Sequence, residues 1–165
     1  MQKERSRLEF KKIGSIHTPY KNTAPYQPEP DDDGEFYIRL EQEYTGGLKD
    51  LEKFKYIYVI YYIDRLKGGF SMDVSPPWIR NRKVGLFASR SPSRPNPIGL
   101  SIVRIIKIHG NIIKISGMDA FDGTPLLDIK PYIKELDSKP DANYGWLDNA
   151  EDKDHLLLHI KGIPH

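Results

Sequence analysis

Hydrophobic and polar positions alternate most clearly along 35–40, EFYIRL, where Phe36, Ile38 and Leu40 are separated by Glu35, Tyr37 and Arg39. A period of two predicts a half-buried strand. Residues 13–17 and 83–89 read as further strands. Residues 56–63, YIYVIYYI, are aromatic or β-branched almost throughout, which predicts a strand buried on both faces rather than a helix. Between 98 and 118 two β-rich runs flank Gly110-Asn111, a two-residue hairpin signal. Helical spacing is confined to 45–54, where Leu48, Leu51 and Phe54 mark a short helical turn. Residues 119–133 mix turns at Asp122-Gly123 and Lys130-Pro131 with a short strand, and DHLLLHIKG at 154–162 predicts a last strand or short helix. The segments 21–34 and 66–81 are loops rich in Pro, Gly or Asp. Short strands joined by turns, with little helix, predict a mainly β fold: a small antiparallel β-barrel with short helices and loops.

A chain of 165 residues suits one domain, which the sequence places over 1–165, burying roughly 70% of its surface. The absence of cysteine excludes thiol nucleophiles, disulfides and thiolate metal sites. The first ten residues lack the apolar core of a signal peptide. The longest apolar run falls far short of the ~20 residues of a membrane helix. The expectation is a cytoplasmic protein with no membrane partner. Net charge is only +2, yet from 74 to 118 there is no Asp or Glu and eight Lys and Arg, leaving 17 basic against 23 acidic residues elsewhere. Such a one-signed block has the form of an RNA- or phosphate-binding face, or of a solvated face neutralised by acids nearby in the fold.

The centre of that block is ASRSPSRPNPIGLS at 88–101. Pro92, Pro95 and Pro97 cannot donate to a ladder, so they hold it out of any central strand. The prolines leave Arg90 and Arg94 little entropy to lose, and a guanidinium forks onto carboxylate or phosphate oxygens. Stiffening of this kind suits a binding edge. A PxxP ligand or a phosphorylation site needs a disordered segment, whereas this loop is bounded tightly by strands.

Downstream, DAFDGTPLLDIKPY carries Asp119, Asp122 and Asp128. Together at a strand end they are candidates for accepting hydrogen bonds from ribose hydroxyls or an amine; singly they read as turn residues. SPPW at 75–78 resembles the tetrapeptide of amino-group methyltransferases, but the Rossmann-like context that goes with it is missing, so a stiff turn is expected. His155 and His159 have the spacing of HExxH without its Glu, and no metal is expected. Neither a Gly-rich phosphate loop nor GxSxG occurs.

RKVGLFASRSPSRPNPIGLS, DGTPLLDIKPY, IGSIHTPY, LKDLEKFKYIYVIYYI and SKPDANYGW together resemble the TsaA-like family over roughly 13–146. The resemblance implies a small β-barrel binding S-adenosylmethionine, a homodimer with its site near the subunit interface, and methylation of tRNA. The implied reaction adds a methyl to the N6 nitrogen of threonylcarbamoyladenosine beside the anticodon. It implies cofactor contacts from Gln27, Pro28 and Glu29, from Asp64 and Arg65, from Arg90 and Leu100, and from Asp119, Ala120, Phe121 and Asp122. Arg94, Asn96, Lys130 and Tyr132 are assigned to the tRNA. Two departures stand out: Asp64 where the family often has histidine, and Ser93 where it often has a larger or aromatic residue. The extra C-terminal domain of some members is not expected. The proton acceptor stays open among Asp64, Asp119 and a main-chain carbonyl. The alternatives are a non-catalytic RNA-binding barrel and a methyltransferase of this fold with another substrate.

Overall fold

The computed structural model describes residues 8–26, 28–29, 32–77, 79, 81–149 and 153–161, without the side chains of Asn149, Lys153, Leu156, His159 and Ile160. Six strands form its body: β1 (Gly14–His17), β2 (Tyr37–Leu40), β3 (Tyr56–Tyr62), β6 (Ile98–His109), β7 (Ile112–Ile115) and β8 (Thr124–Pro131). All pairings are antiparallel, and the order β1-β2-β7-β6-β3-β8 closes on itself because β1 pairs with both β2 and β8. Closure leaves no unpaired edge among these strands.

Period-two alternation sets what faces inward. Ile16, Ile38, Ile57, Val59, Val103, Ile113, Ile115 and Leu126 are all buried, with Phe36 and Met118 among them. Each buried aliphatic side chain contributes about 1.5–3 kcal/mol relative to exposure. The hairpin between β6 and β7 forms at the expected Gly110-Asn111, with Gly110 at φ 57. Asn111 ties it to β2 through its side-chain amide, which donates to the Leu40 carbonyl at 2.7 Å.

Two expectations need correction. β3 is buried on one face only: Ile57, Val59 and Tyr61 point inward, while Tyr56 and Tyr62 are exposed and Tyr58 and Ile60 half-buried. Of 83–89, only Val84–Gly85 is extended, as β5. It pairs with β4 (Asp73–Val74) in a two-stranded sheet outside the ring, and Leu86–Ala88 coils into a 3-10 turn. The short helical turn expected at 45–54 is present as 3-10 turns, Gln42–Leu48 and Leu51–Lys53. The tail resolves as helix α2 (Lys153–Ile160), and a one-turn helix α1 (Lys134–Asp137) follows β8. No helix of the described residues is long and apolar enough to cross a membrane.

Candidate active site at the barrel rim

One end of the ring gathers the end of β1, the end of β3, the start of β6 and the approach to β8. The arginine loop docks there. Ile63 N–H donates to the Pro97 carbonyl at 2.8 Å, fixing the loop to the end of β3. Trp146 Nε1 donates to the Ala88 carbonyl at 2.7 Å, holding the loop's other end. Ser89 Oγ donates to the Leu86 carbonyl at 2.9 Å, closing the preceding turn. Arg94 turns inward: its Nη1 donates to the carbonyls of Leu86, Ser89 and Ser91 at 3.2, 2.9 and 3.3 Å, and the guanidinium lies 5.6 Å from the Phe87 ring. Arg94 is therefore a brace within the loop. Arg90 is exposed, and its charge acts on Asp119.

The segment 119–122 is clamped from β1. Thr18 Oγ1 donates to the Ala120 carbonyl at 2.8 Å, and Asp122 N–H donates to the Tyr20 carbonyl at 2.8 Å. The Asp122 carboxylate lies 3.1 Å from His17 Nδ1, and His17 Nε2 lies 2.8 Å from Ser15 Oγ. The His17 ring stacks on Tyr37 at 4.7 Å. Arg65 completes the clamp, donating to the carbonyls of Lys21 and Asp122 at 2.6 and 2.5 Å and lying 5.1 Å from the Phe121 ring. Burial pushes the Asp119 carboxyl above its ordinary value, against the opposing pull of a backbone hydrogen bond and of Arg90. Burial, reinforced by the charge of Asp119, pushes the Tyr61 phenol up to about 12. Tyr20 donates its hydroxyl to Asp32, and burial followed by that bond raises its pKa. Glu29 and Asp119 raise it further, which places both near Tyr20.

The rim thus brings together Glu29, Asp64, Arg65, Arg90, Asp119, Ala120, Phe121 and Asp122. Pro28 adjoins Glu29 and is exposed. Gln27 lies outside the described residues, as does Trp78 of SPPW. Leu100 is 60% exposed on the outer face of β6, two residues below the loop. Asn96 is exposed within the loop and its carbonyl accepts from Ile98 N–H at 2.8 Å.

Lys130 and Tyr132 sit elsewhere. Lys130 pairs with Tyr58 near the start of β3, roughly 20 Å along β8 from the rim at 3.3 Å per residue. There Lys130 bonds Asp128 at 3.0 Å, and Tyr132 packs on Tyr56 and Tyr58 at 6.4 and 5.6 Å. Asp128 accordingly does not join Asp119 and Asp122. Arg104, Lys107 and Lys114 are exposed along the same half of the ring, with Lys107 directly opposite Lys114. Sequence reasoning missed His17, Thr18, Tyr20 and Asp32 as supports of the rim. The one signal available was Ser15 and His17 two apart, on the same face of a strand.

With this geometry in view, the chain belongs to the tRNA-methyltransferase O N-terminal domain family, whose pattern matches residues 15–138. Its relatives carry two kinds of name. It is 43% identical over 141 residues to a probable S-adenosyl-L-methionine-binding protein of Pyrococcus abyssi, covering 84% of this chain and 76% of that one. It is 34% identical over 155 residues to the tRNA (adenine(37)-N6)-methyltransferase of Escherichia coli, covering 88% and 66%. The crystal structure of TrmO from Pseudomonas aeruginosa superposes with a TM-score of 0.69 at 27% identity, over 85% of this chain and 62% of that one. The chain thus spans a little under two thirds of the length of the latter two.

Proposed function

We propose that this chain is an S-adenosylmethionine-dependent methyltransferase that methylates the N6 nitrogen of the adenosine beside the tRNA anticodon, in its threonylcarbamoyl form. The observation that carries this reading is the coincidence, on one braced rim, of the matched family's motifs with a mixed set of charges. The donor presents a carboxylate, an ammonium, ribose hydroxyls and a sulfonium, and the rim offers partners for each. Arg90 suits the carboxylate. Glu29 and Asp119 suit the ammonium and hydroxyls, Phe121 and Leu100 the adenine, and the family's pattern adds Gln27 and Pro28 as contacts. Asp119 and the Tyr20–Asp32 pair give the rim a negative potential that favours a sulfonium.

When bound, the donor supplies a methyl group on sulfur for in-line transfer to nitrogen. Arg65 and the β1 clamp keep the 119–122 segment rigid, so that contacts made there hold a fixed pose. Orienting two reactants in this way is worth on the order of 7–11 kcal/mol. Arg94 keeps Arg90 in place by bracing the loop between Leu86 and Ser91. A carboxylate or carbonyl at the rim accepts the proton that leaves the exocyclic nitrogen.

Two partners follow. Arg104, Lys107, Lys114 and Lys130, interleaved with Tyr56, Tyr58 and Tyr132, suit the phosphate backbone and unstacked bases of the tRNA. Asn96, exposed in the loop, serves the RNA there, and Arg94 acts only through the loop it braces. A second copy of the chain covers the outer face of β6 nearest the loop, where Ile98, Leu100 and Ile102 are 39–60% exposed. Leu100 then lies at the subunit boundary next to the donor. The cytoplasm is the location that goes with this substrate, and residues 1–165 act as one domain. The test is calorimetry with S-adenosylhomocysteine together with nucleoside mass spectrometry of tRNA from a strain lacking the gene. Binding plus loss of the N6-methylated threonylcarbamoyl nucleoside is expected. No binding at millimolar ligand, or an unchanged nucleoside profile, overturns the reading.

A further inference from the structure

β3 hands consecutive residues to opposite neighbours. Arg65 turns toward β1 and β8, where it bonds the carbonyls of Lys21 and Asp122. Asp64 instead lines a cleft of about 270 Å3 on the β6 side, together with Tyr62, Phe70, Ser93, Arg94 and Pro95. The cleft adjoins the rim but, apart from Asp64, uses none of the residues assigned to the donor. Its volume falls just below the roughly 300–1,000 Å3 of pockets that enclose a whole drug-sized ligand, which suits one ring system. Tyr62 and Phe70 are both about half exposed, at 44% and 48%, and Pro95 adds a flat apolar wall. Arg94 is fixed by its three carbonyl bonds, so that side of the cleft is rigid. Ser93 is half-buried and small, and leaves the space open.

An enzyme acting on a base must take that base out of its stack and seat it against flat side chains with a polar group at its edge. We propose that the cleft between 62–70 and 93–97 receives the acceptor adenine of the RNA, with the Asp64 carboxylate accepting from its exocyclic N–H and Ser93 setting the room. This rests on the methyltransferase reading above. In the transfer, the N–CH3 bond forms as the S–CH3 bond breaks, the bonding pair stays on sulfur, and the proton leaves nitrogen for the carboxylate. An adenine ring also belongs to the methyl donor, so the experiment separates the two sources.

The full chain is compared with Ser93→Trp, Phe70→Ala and the control Gly47→Ala. Three quantities are read: affinity for S-adenosylhomocysteine, kcat/KM for tRNA methylation, and fluorescence of an anticodon stem-loop carrying 2-aminopurine at the acceptor position. Ser93→Trp is expected to lose at least a hundredfold in kcat/KM and the fluorescence rise on binding, while nucleoside affinity stays within twofold. Gly47→Ala, outside the cleft and with nothing within 4 Å of the added Cβ, should behave as wild type, and Phe70→Ala, at a half-exposed position, should raise KM five- to tenfold. An active Ser93→Trp that still gives the fluorescence rise overturns the cleft alone. A tenfold loss of S-adenosylhomocysteine affinity in the folded Ser93→Trp or Phe70→Ala variant assigns the cleft to the donor and overturns the proposal. A wild-type chain that binds no S-adenosylhomocysteine overturns the methyltransferase reading, and the cleft assignment with it.

Discussion

Gly99 should tolerate no side chain. It lies buried on β6, paired with Tyr61 of β3, and a Cβ built there falls 2.1 Å from Tyr61 Cε2 and 2.3 Å from Cζ. The ring cannot withdraw freely, because Tyr61 is only 7% exposed and its hydroxyl lies 3.2 Å from Ser101 Oγ. Gly99→Ala therefore overpacks the interior, at about 1–3 kcal/mol. If the ring moves, the Ser101 hydrogen bond breaks as well, at about 0.5–1.5 kcal/mol. The reduced entropy of the unfolded chain returns about 0.4–1 kcal/mol. The net is a destabilisation of about 2 kcal/mol, or roughly 4–8 °C in Tm for a chain of this size. Gly47→Ala is the control, since nothing lies within 4 Å of a Cβ there. Scanning calorimetry of both variants reads the difference directly. A Gly99→Ala Tm within 2 °C of wild type would show that Tyr61 moves without penalty, and the account of a tightly packed strand pair would be refuted.

Asp119 gives a pH-dependent outcome: burial raises its folded pKa, so its contribution to stability is present below its ordinary value and is lost as pH rises through the raised one. Asp119→Asn should then raise Tm at pH 7 with a gap that narrows toward pH 4, and a gap widening on acidification contradicts the burial argument. Arg94→Ala removes a cationic donor from three carbonyls and should cost about 1.5–3 kcal/mol. Because the loop loosens, affinity for both S-adenosylhomocysteine and tRNA should fall, and a loss confined to tRNA would show that Arg94 touches the RNA rather than bracing the loop. Reversing Lys107 and Lys114 to Glu should weaken tRNA binding and flatten its log–log salt dependence by about one unit for each phosphate no longer neutralised, read by filter binding from 50 to 300 mM salt. An unchanged slope removes β6 and β7 from the interface.

Period two along Phe36, Ile38 and Leu40 and the Gly110-Asn111 signal sufficed for β2 and the β6–β7 hairpin, because both signals are written in adjacent residues, although β2 itself pairs with the distant β1 and β7. β3 misled because tyrosine reads as apolar in the chain, yet its hydroxyl allows the ring to stand half in water. β4 was invisible: two residues carry no period, and only its pairing with β5 makes it a strand. At the site, the long motifs at 88–101 and 119–122 carried most of the rim. The contact of His17 with Asp122 joins residues 105 positions apart, which no local pattern encodes. The same holds for Arg94, where sequence shows a stiff basic loop but cannot say that one guanidinium points back into it.

The parting of Asp64 and Arg65 separates two evolutionary pressures. In the proposed arrangement the donor's partners are spread over the ends of several strands, while the walls of the neighbouring cleft come from the loops 66–70 and 93–97. Descendants of such a chain could exchange the ring they accept by rewriting 66–70 and Ser93, so long as the Arg94 brace stays in place.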